Sequence, residues 1–225
     1  RAYARNTNHC FEFPSTQFPL HVTFIATAIN QIIVCKGTDT NVNYGGVQLY
    51  IDSDGKAAFY INPTSGSTAN RIPLVSTTSV DITGNVKTMV TVTKDSANNH
   101  RLFLNGILEA TVTSTYTAWA NSYPLQIGAA YLSGSINNAS PGLCVFSVKL
   151  VFGVCEYTSN FKVDLSNPYF PVQETFVDVW VDPSERKNMT LATGVSDIKE
   201  RSGNDLHFTQ ATTAYQPALM QGYSN

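Results

Sequence analysis

The sequence predicts an all-β fold, a two-sheet antiparallel sandwich or barrel, on three observations. Charged residues are only 13% of the 225 against 43% apolar, with Thr, Ser, Asn, Val, Tyr and Phe plentiful, a composition suited to half-buried pleated strands. Turn signals separate short alternating apolar runs. No helical period of three to four residues is sustained before residue 155. The length suits one large β domain, because all-β sandwiches of this size occur as single units.

Taken in order, Leu20 to Asn30 and Gln31 to Lys36 read as two strands. Val47-Gln-Leu-Tyr-Ile51 alternates, Asp52-Ser-Asp-Gly55 supplies residues that tolerate positive φ, and Lys56-Ala-Ala-Phe-Tyr-Ile61 returns, so a hairpin is expected. Thr88 to Thr93 alternates, and Lys94 to His100 is a polar turn. Asn105-Gly106, the strongest short hairpin signal, joins Arg101–Leu104 to Ile107–Thr113. Leu125 to Gly128 reads as a short strand. Cys144 to Phe152 would place Cys144, Phe146, Val148 and Leu150 on one face and Ser147 and Lys149 on a wet face. Lys162 to Gln173 carries Pro168 and Pro171 and reads as an extended connector, dividing the chain into residues 1–172 and 173–225.

Composition also excludes. A net charge of -2 with scattered Lys and Arg offers no footprint for nucleic acid. No run approaches the roughly 20 apolar residues that cross a bilayer, so membrane insertion is not expected, and the N-terminus lacks a signal pattern. The chain begins at Arg1, which suggests a processed product or a piece of something longer. Cys10, Cys35, Cys144 and Cys155 show no CxxC or zinc spacing; they read as small buried hydrophobes, with two disulfides as the competing reading.

The order of these elements resembles the laminin G-like branch of the concanavalin A-like lectin and glucanase superfamily, over roughly residues 10 to 160. Ile33-Val-Cys-Lys-Gly37, the hairpin Gly46 to Gly55, Val90-Thr-Val-Thr93 before Arg101-Leu-Phe-Leu-Asn-Gly106, Pro124-Leu-Gln-Ile-Gly-Ala129 and Leu143 to Phe152 are similar to its successive strands. The resemblance implies a two-sheet antiparallel jelly-roll sandwich. The tail carries a second resemblance: Val179-Trp-Val-Asp-Pro-Ser184, Gly194 to Asn204 and His207 to Thr212 are similar to the opening segment of laminin G-like modules in bacteriophage structural and microbial surface proteins. Here that segment comes last. It would act as a permuted edge folding back beside residues 8 to 24, as the start of a next module, or as an arm docking on a neighbouring subunit and building oligomers.

Glucanases of this superfamily set two carboxylates on one strand so that both face the cleft. In this chain Asp52 and Asp54 sit in a turn, Glu109 stands alone, and Asp178, Asp182 and Glu185 spread across a Pro-containing segment that cannot hold a regular strand. No catalytic residue is assigned. His9, His21, His100 and His207 are dispersed without a nucleophile at a recognisable spacing, and read as surface or packing. Aromatics in loops stack on sugars or anchor interfaces; beside Tyr3, the candidate ligand-binding residues are Tyr44, Tyr116, Trp119 and Tyr123, with Thr111 to Tyr123 as the preferred contact loop. No cofactor is expected: Asp39, Asp52, Asp54 and Asp95 lie in loops where calcium binds in some laminin G-like modules, but they form no dense ligand loop, and a turn role fits Asp52 and Asp54 better.

The expected function is therefore non-enzymatic binding. From the tail resemblance, the setting is a virion, as a capsid decoration or fibre component whose partners are surface glycans, capsid or fibre proteins. An extracellular or cell-surface bacterial adhesin is the alternative, and a glycan-cleaving enzyme the third.

Overall fold

A computed structural model describes residues 4–5, 16–37, 46–62, 71–115, 125–132, 135–137, 140–166, 177–181, 189–191, 195–199 and 207–209. Numbered along the chain, the strands are β1 (Ala4–Arg5), β2 (Phe18–Ile25), β3 (Ile32–Lys36), β4 (Gly46–Ile51), β5 (Lys56–Asn62), β6 (Ile72–Ser79), β7 (Thr88–Lys94), β8 (Asn99–Leu104) and β9 (Ile107–Thr113). They continue as β10 (Leu125–Ile127), β11 (Ala130–Leu132), β12 (Ser135–Asn137), β13 (Cys144–Val151), β14 (Val177–Val181), β15 (Met189–Leu191), β16 (Val195–Lys199) and β17 (His207–Thr209).

One sheet runs β15-β16-β17-β1-β10-β3-β4-β5-β6 and the other β14-β13-β2-β7-β8-β9, with β11 and β12 as a small hairpin. Neighbouring strands pair antiparallel, as in the pairs β2–β13 and β2–β7, the jelly-roll sandwich that the resemblance implies. The facing residues form one core: Phe18, Leu20, Val22 and Phe24 of β2, Val90 and Val92 of β7, and Val148 and Leu150 of β13 meet Val47, Leu49, Ile51, Phe59 and Ile61 of the other sheet. Alternation decides this, because every second residue of a strand points to the same side, and each large apolar side chain so buried contributes about 1.5–3 kcal/mol.

The two expected hairpins form. The β4–β5 turn is held by Asp52, whose Oδ1 accepts from the amides of Asp54 and Lys56. In the β8–β9 turn Asn105 and Gly106 both have positive φ, 50° and 81°, which matches the twist of the flanking strands. Asp95 closes the β7–β8 turn: its carboxylate accepts from the amides of Ala97 and Asn99, the Asn99 side chain and Arg101.

Several expectations are corrected. β2 stops at Ile25, not Asn30, because the Gln31 side chain accepts from the amides of Thr27 and Ala28 and Asn30 turns with φ 57°. β13 shifts register between Val145 and Ser147, so Val145 rather than Phe146 packs on the core, and Cys144 faces away from it. Ser147 and Lys149, expected to be wet, are buried. Asp178 lies within β14, which ends two residues before Pro183. Tail strands extend both sheets of their own chain, β14 beyond β13 and β17 beyond β1. The proposed boundary near residue 172 lies outside the described residues.

Candidate functional site

A sandwich has two outer faces, and they differ here. That of the six-stranded sheet is crossed by residues 152–166, an irregular strap leaving β13. The Gly153 amide donates to the Gln17 carbonyl, the Thr93 hydroxyl to the Tyr157 carbonyl, the Leu108 amide to the Asn160 side chain, and the Phe161 amide to the Gly106 carbonyl at 2.9 Å. Beneath it Tyr157 and Phe161 stack at 3.7 Å, Phe161 meets Phe103 edge-on, and His21 meets Tyr157 the same way.

Under the strap lies the polar group that sequence reasoning missed. His21 Nε2 is 2.8 Å from Glu156 Oε2, His21 Nδ1 is 3.0 Å from the Thr91 hydroxyl, and Lys149 Nζ is 3.2 Å from Glu156 Oε1. Burial lowers the pKa of His21 despite the carboxylate, and burial lowers Lys149. Burial alone would raise Glu156, but the hydrogen bond from His21 and then the charge and hydrogen bond of Lys149 oppose it and hold it at about 2. At neutral pH His21 is therefore the neutral tautomer, donating through Nε2 to a carboxylate that can only accept, while Thr91 donates to Nδ1. Thr91, His21 and Glu156 are linked like a nucleophile, base and acid. The Thr91 hydroxyl is 0% exposed, however, so no substrate reaches it, and the network is an anchor for the strap.

The outer face of the other sheet is built differently. In its register Gln126 lies opposite Cys35, Cys35 opposite Gln48, Gln48 opposite Tyr60 and Tyr60 opposite Pro73. Tyr50 sits opposite Ala58, one diagonal from Tyr60, and the two rings stack at 5.4 Å with 26° between planes. The Arg71 guanidinium covers the Tyr60 ring at 3.2 Å. Burial, then a hydrogen bond shared with Tyr60, raises the pKa of Tyr50, so the Tyr50 phenol is a neutral donor–acceptor at physiological pH. Both rings and Arg71 remain half-buried rather than sealed. Among the described residues, buried Arg71 Nε, Asn62 Oδ1 and both polar atoms of the Gln126 amide have no hydrogen-bond partner.

Tyr50 and Tyr60 were legible in the alternation itself: with Val47, Leu49 and Ile51 inward, Gln48 and Tyr50 face outward, and with Phe59 and Ile61 inward so does Tyr60. The aromatic residues singled out from the sequence, Tyr44, Tyr116, Trp119 and Tyr123, lie outside the described residues, as does Asp39. Asp52 and Asp95 spend their carboxylates on turns, and among the described residues no three His, Cys, Asp or Glu side chains gather as metal ligands. Cys35 is buried and Cys144 and Cys155 half-buried, all three as free thiols, and burial raises the pKa of the latter two away from reactivity. Glu109 is tied to β6: its carboxylate accepts from the amides and hydroxyls of Thr77 and Thr78.

These features define an all-β sandwich whose one outer face is crossed by the strap and whose other carries the half-buried Tyr50–Tyr60 pair beside buried Cys35, Gln48 and Gln126. The family model of the concanavalin A-like lectin and glucanase superfamily, laminin G-like type, matches residues 21–143, more than half of the 225. The chain belongs to that superfamily. No curated protein matches its sequence. Among solved structures it is similar to a Bacteroides ovatus protein proposed to bind carbohydrate, at 14% identity and TM-score 0.57, covering 92% of this chain and 57% of that one. Domains LG4-5 of the mouse laminin alpha1 chain are similar at 16% identity and TM-score 0.50, covering 73% and 42%. The CBM40 domain of the Ruminococcus gnavus IT-sialidase, bound to alpha2,3 sialyllactose, is similar at 20% identity and TM-score 0.46, covering 58% and 75%.

Proposed function

We propose that the chain is a non-catalytic glycan-binding module whose contact is the outer face centred on Tyr50 and Tyr60. The observation that carries this is the stacked, half-buried tyrosine pair with Arg71 over Tyr60, on the face the strap does not cross. Sugars present an apolar ring face for stacking and hydroxyls for hydrogen bonds, and this face supplies both. Catalysis is not the better reading. Asp52, which lies close enough to act on the charge of Tyr50, commits Oδ1 to its turn, and the two-carboxylate arrangement of glycoside hydrolysis is not assembled among the described residues of this face.

The tail resemblance supports a setting on a virion, as a decoration or fibre component bridging capsid proteins and surface glycan; it also supports an extracellular bacterial adhesin carrying the same module. Tyr44, Tyr116, Trp119 and Tyr123 remain candidates for a further contact. A glycan array probed with the purified chain tests the central reading. Y60A is expected to weaken binding by roughly 10- to 100-fold, the value of a lost aromatic anchor at about 1–3 kcal/mol. Binding by the wild type that survives Y60A and Y50A but is lost in W119A would move the site to the loop. Co-purification with particles separates the virion from the adhesin.

A further inference from the structure

A sheet that ends in an open strand offers its unpaired backbone groups to any other strand, so a bare edge is a template for pairing with a second molecule. Among the described strands, β6 ends the nine-stranded sheet and β9 ends the six-stranded sheet. The two edges lie side by side, because Glu109 of β9 reaches across to β6. The residues it reaches, Thr77 and Thr78, are exposed at the end of β6.

Each edge is closed by a side chain. The β5–β6 register shifts between Lys56 and Ala58, and within that irregularity the Ala57 amide donates to the Ser76 hydroxyl at 3.0 Å while Ser76 donates to the Thr78 carbonyl. The amides of Thr77 and Thr78 donate to Glu109 Oε2 instead of to β5, at 2.9 and 3.0 Å. The Thr77 hydroxyl also donates to Oε2, and the Thr78 hydroxyl to Oε1. On the neighbouring edge the Leu108 amide donates to Asn160 Oδ1 at 2.8 Å. Further up β6, exposed Pro73 has no amide to offer. Exposed hydrogen bonds add modestly to stability, because water would satisfy the same groups. Their particular effect here is to occupy two successive amides that a second strand would need.

We infer that Glu109 is an edge guard: by occupying the Thr77 and Thr78 amides it keeps the β6 edge from pairing with the same edge of a second copy of this chain. Such pairing is self-complementary, since two identical strands related by a two-fold axis run antiparallel and exchange backbone hydrogen bonds whatever their side chains. Asn160 of the strap serves the β9 edge in the same way, so this side of the sandwich is held out of assembly. The inference does not depend on what the tyrosine face binds.

The test is sedimentation velocity of the full chain from micromolar to near-millimolar concentration, with wild type, E109A, E109Q, E109A/T77K and V92A, each checked for folding by thermal melting. With rising concentration E109A is expected to climb toward about twofold the wild-type mass. Hydrogen exchange at the Thr77 and Thr78 amides should slow as it does so, because the partner strand takes the place of Glu109. E109Q keeps a carbonyl oxygen that can accept both amides and is expected to hold the wild-type mass. T77K sets a charge on the exposed edge, so E109A/T77K is expected to lose the association. V92A opens a cavity in the core and leaves Glu109 in place, and its wild-type mass would separate an opened edge from lost stability. A folded E109A that holds the wild-type mass at every concentration would overturn the inference. So would association of V92A to the same extent, or an E109A dimer in which Thr77 and Thr78 gain no protection.

Discussion

Replacing Glu156 by Gln measures how strongly the strap is anchored. The substitution keeps the shape and an oxygen that accepts from His21, and removes the charge facing the buried Lys149 ammonium, whose side chain is 1% exposed. Glu156 is held at about 2 against an ordinary 4.5, which at 1.36 kcal/mol per unit sets an upper bound near 3 kcal/mol. Glu156 keeps 23% of its side-chain surface in water, and burial keeps His21 neutral, so only part of that is realised. We expect about 2 kcal/mol at pH 7, which for a chain of this length lowers Tm by roughly 4–8 °C. Urea denaturation followed by tryptophan fluorescence measures it. A depressed carboxylate contributes stability above its unfolded pKa and loses it as pH falls through the folded one, so the difference between wild type and E156Q should shrink between pH 4.5 and about 2. Adding K149M to E156Q should recover much of the loss, because it removes the buried charge that lost its partner. A loss at pH 7 under about 0.5 kcal/mol, or one that is equally large at pH 3, would refute the anchoring role.

Three further outcomes follow from the same packing. In G106A, a Cβ would lie 2.1 Å from the Phe161 carbonyl oxygen at φ 81°, whereas in G55A the nearest atom is 3.8 Å away at φ 76°. G55A should thus cost only the backbone strain of about 1–2 kcal/mol, and G106A clearly more, the excess in thermal melts being the strap contact. E109A should cost about 1 kcal/mol by removing the acceptor that ties β9 to Thr77 and Thr78. Burial would raise the Glu109 pKa, but these four hydrogen bonds outweigh it and hold it below 4.5, so the effect of E109A should fade on acidification below that value. The buried neutral His21, whose pKa lies below its ordinary 6.5, makes the unfolded chain bind a proton first, so wild-type stability should begin to fall as pH drops below 6.5. An H21N variant whose stability declines from pH 7 to 5 as steeply as the wild type would show that another group is responsible.

The strand pairs joined by short turns were legible because their determinants are local. Alternation around Asp52–Gly55 and Asn105-Gly106 sets both the hairpins and the inward residues, and the structure keeps Leu49, Phe59, Leu102 and Leu104 in the core as alternation requires. Strand limits that depend on a side chain were less legible, as where Gln31 ends β2 early or a bulge turns Phe146 off the core. Tyr50 and Tyr60 were outward by pattern, yet being outward does not make two residues a pair. Their stacking needs the β4–β5 register, and Arg71 reaches Tyr60 only through the β5–β6 pairing.

By itself, the sequence determined the all-β class, the hairpins, the superfamily and the inside of the hairpin strands, because residue period and turn chemistry act within a few neighbours. The path of the strap over the six-stranded sheet was decided by tertiary structure alone. His21 and Glu156 are 135 residues apart, and the strap that joins them has no regular period to read. A strand's pattern states that Lys149 points away from the core, but only the later path of residues 152–166 makes that outward side dry.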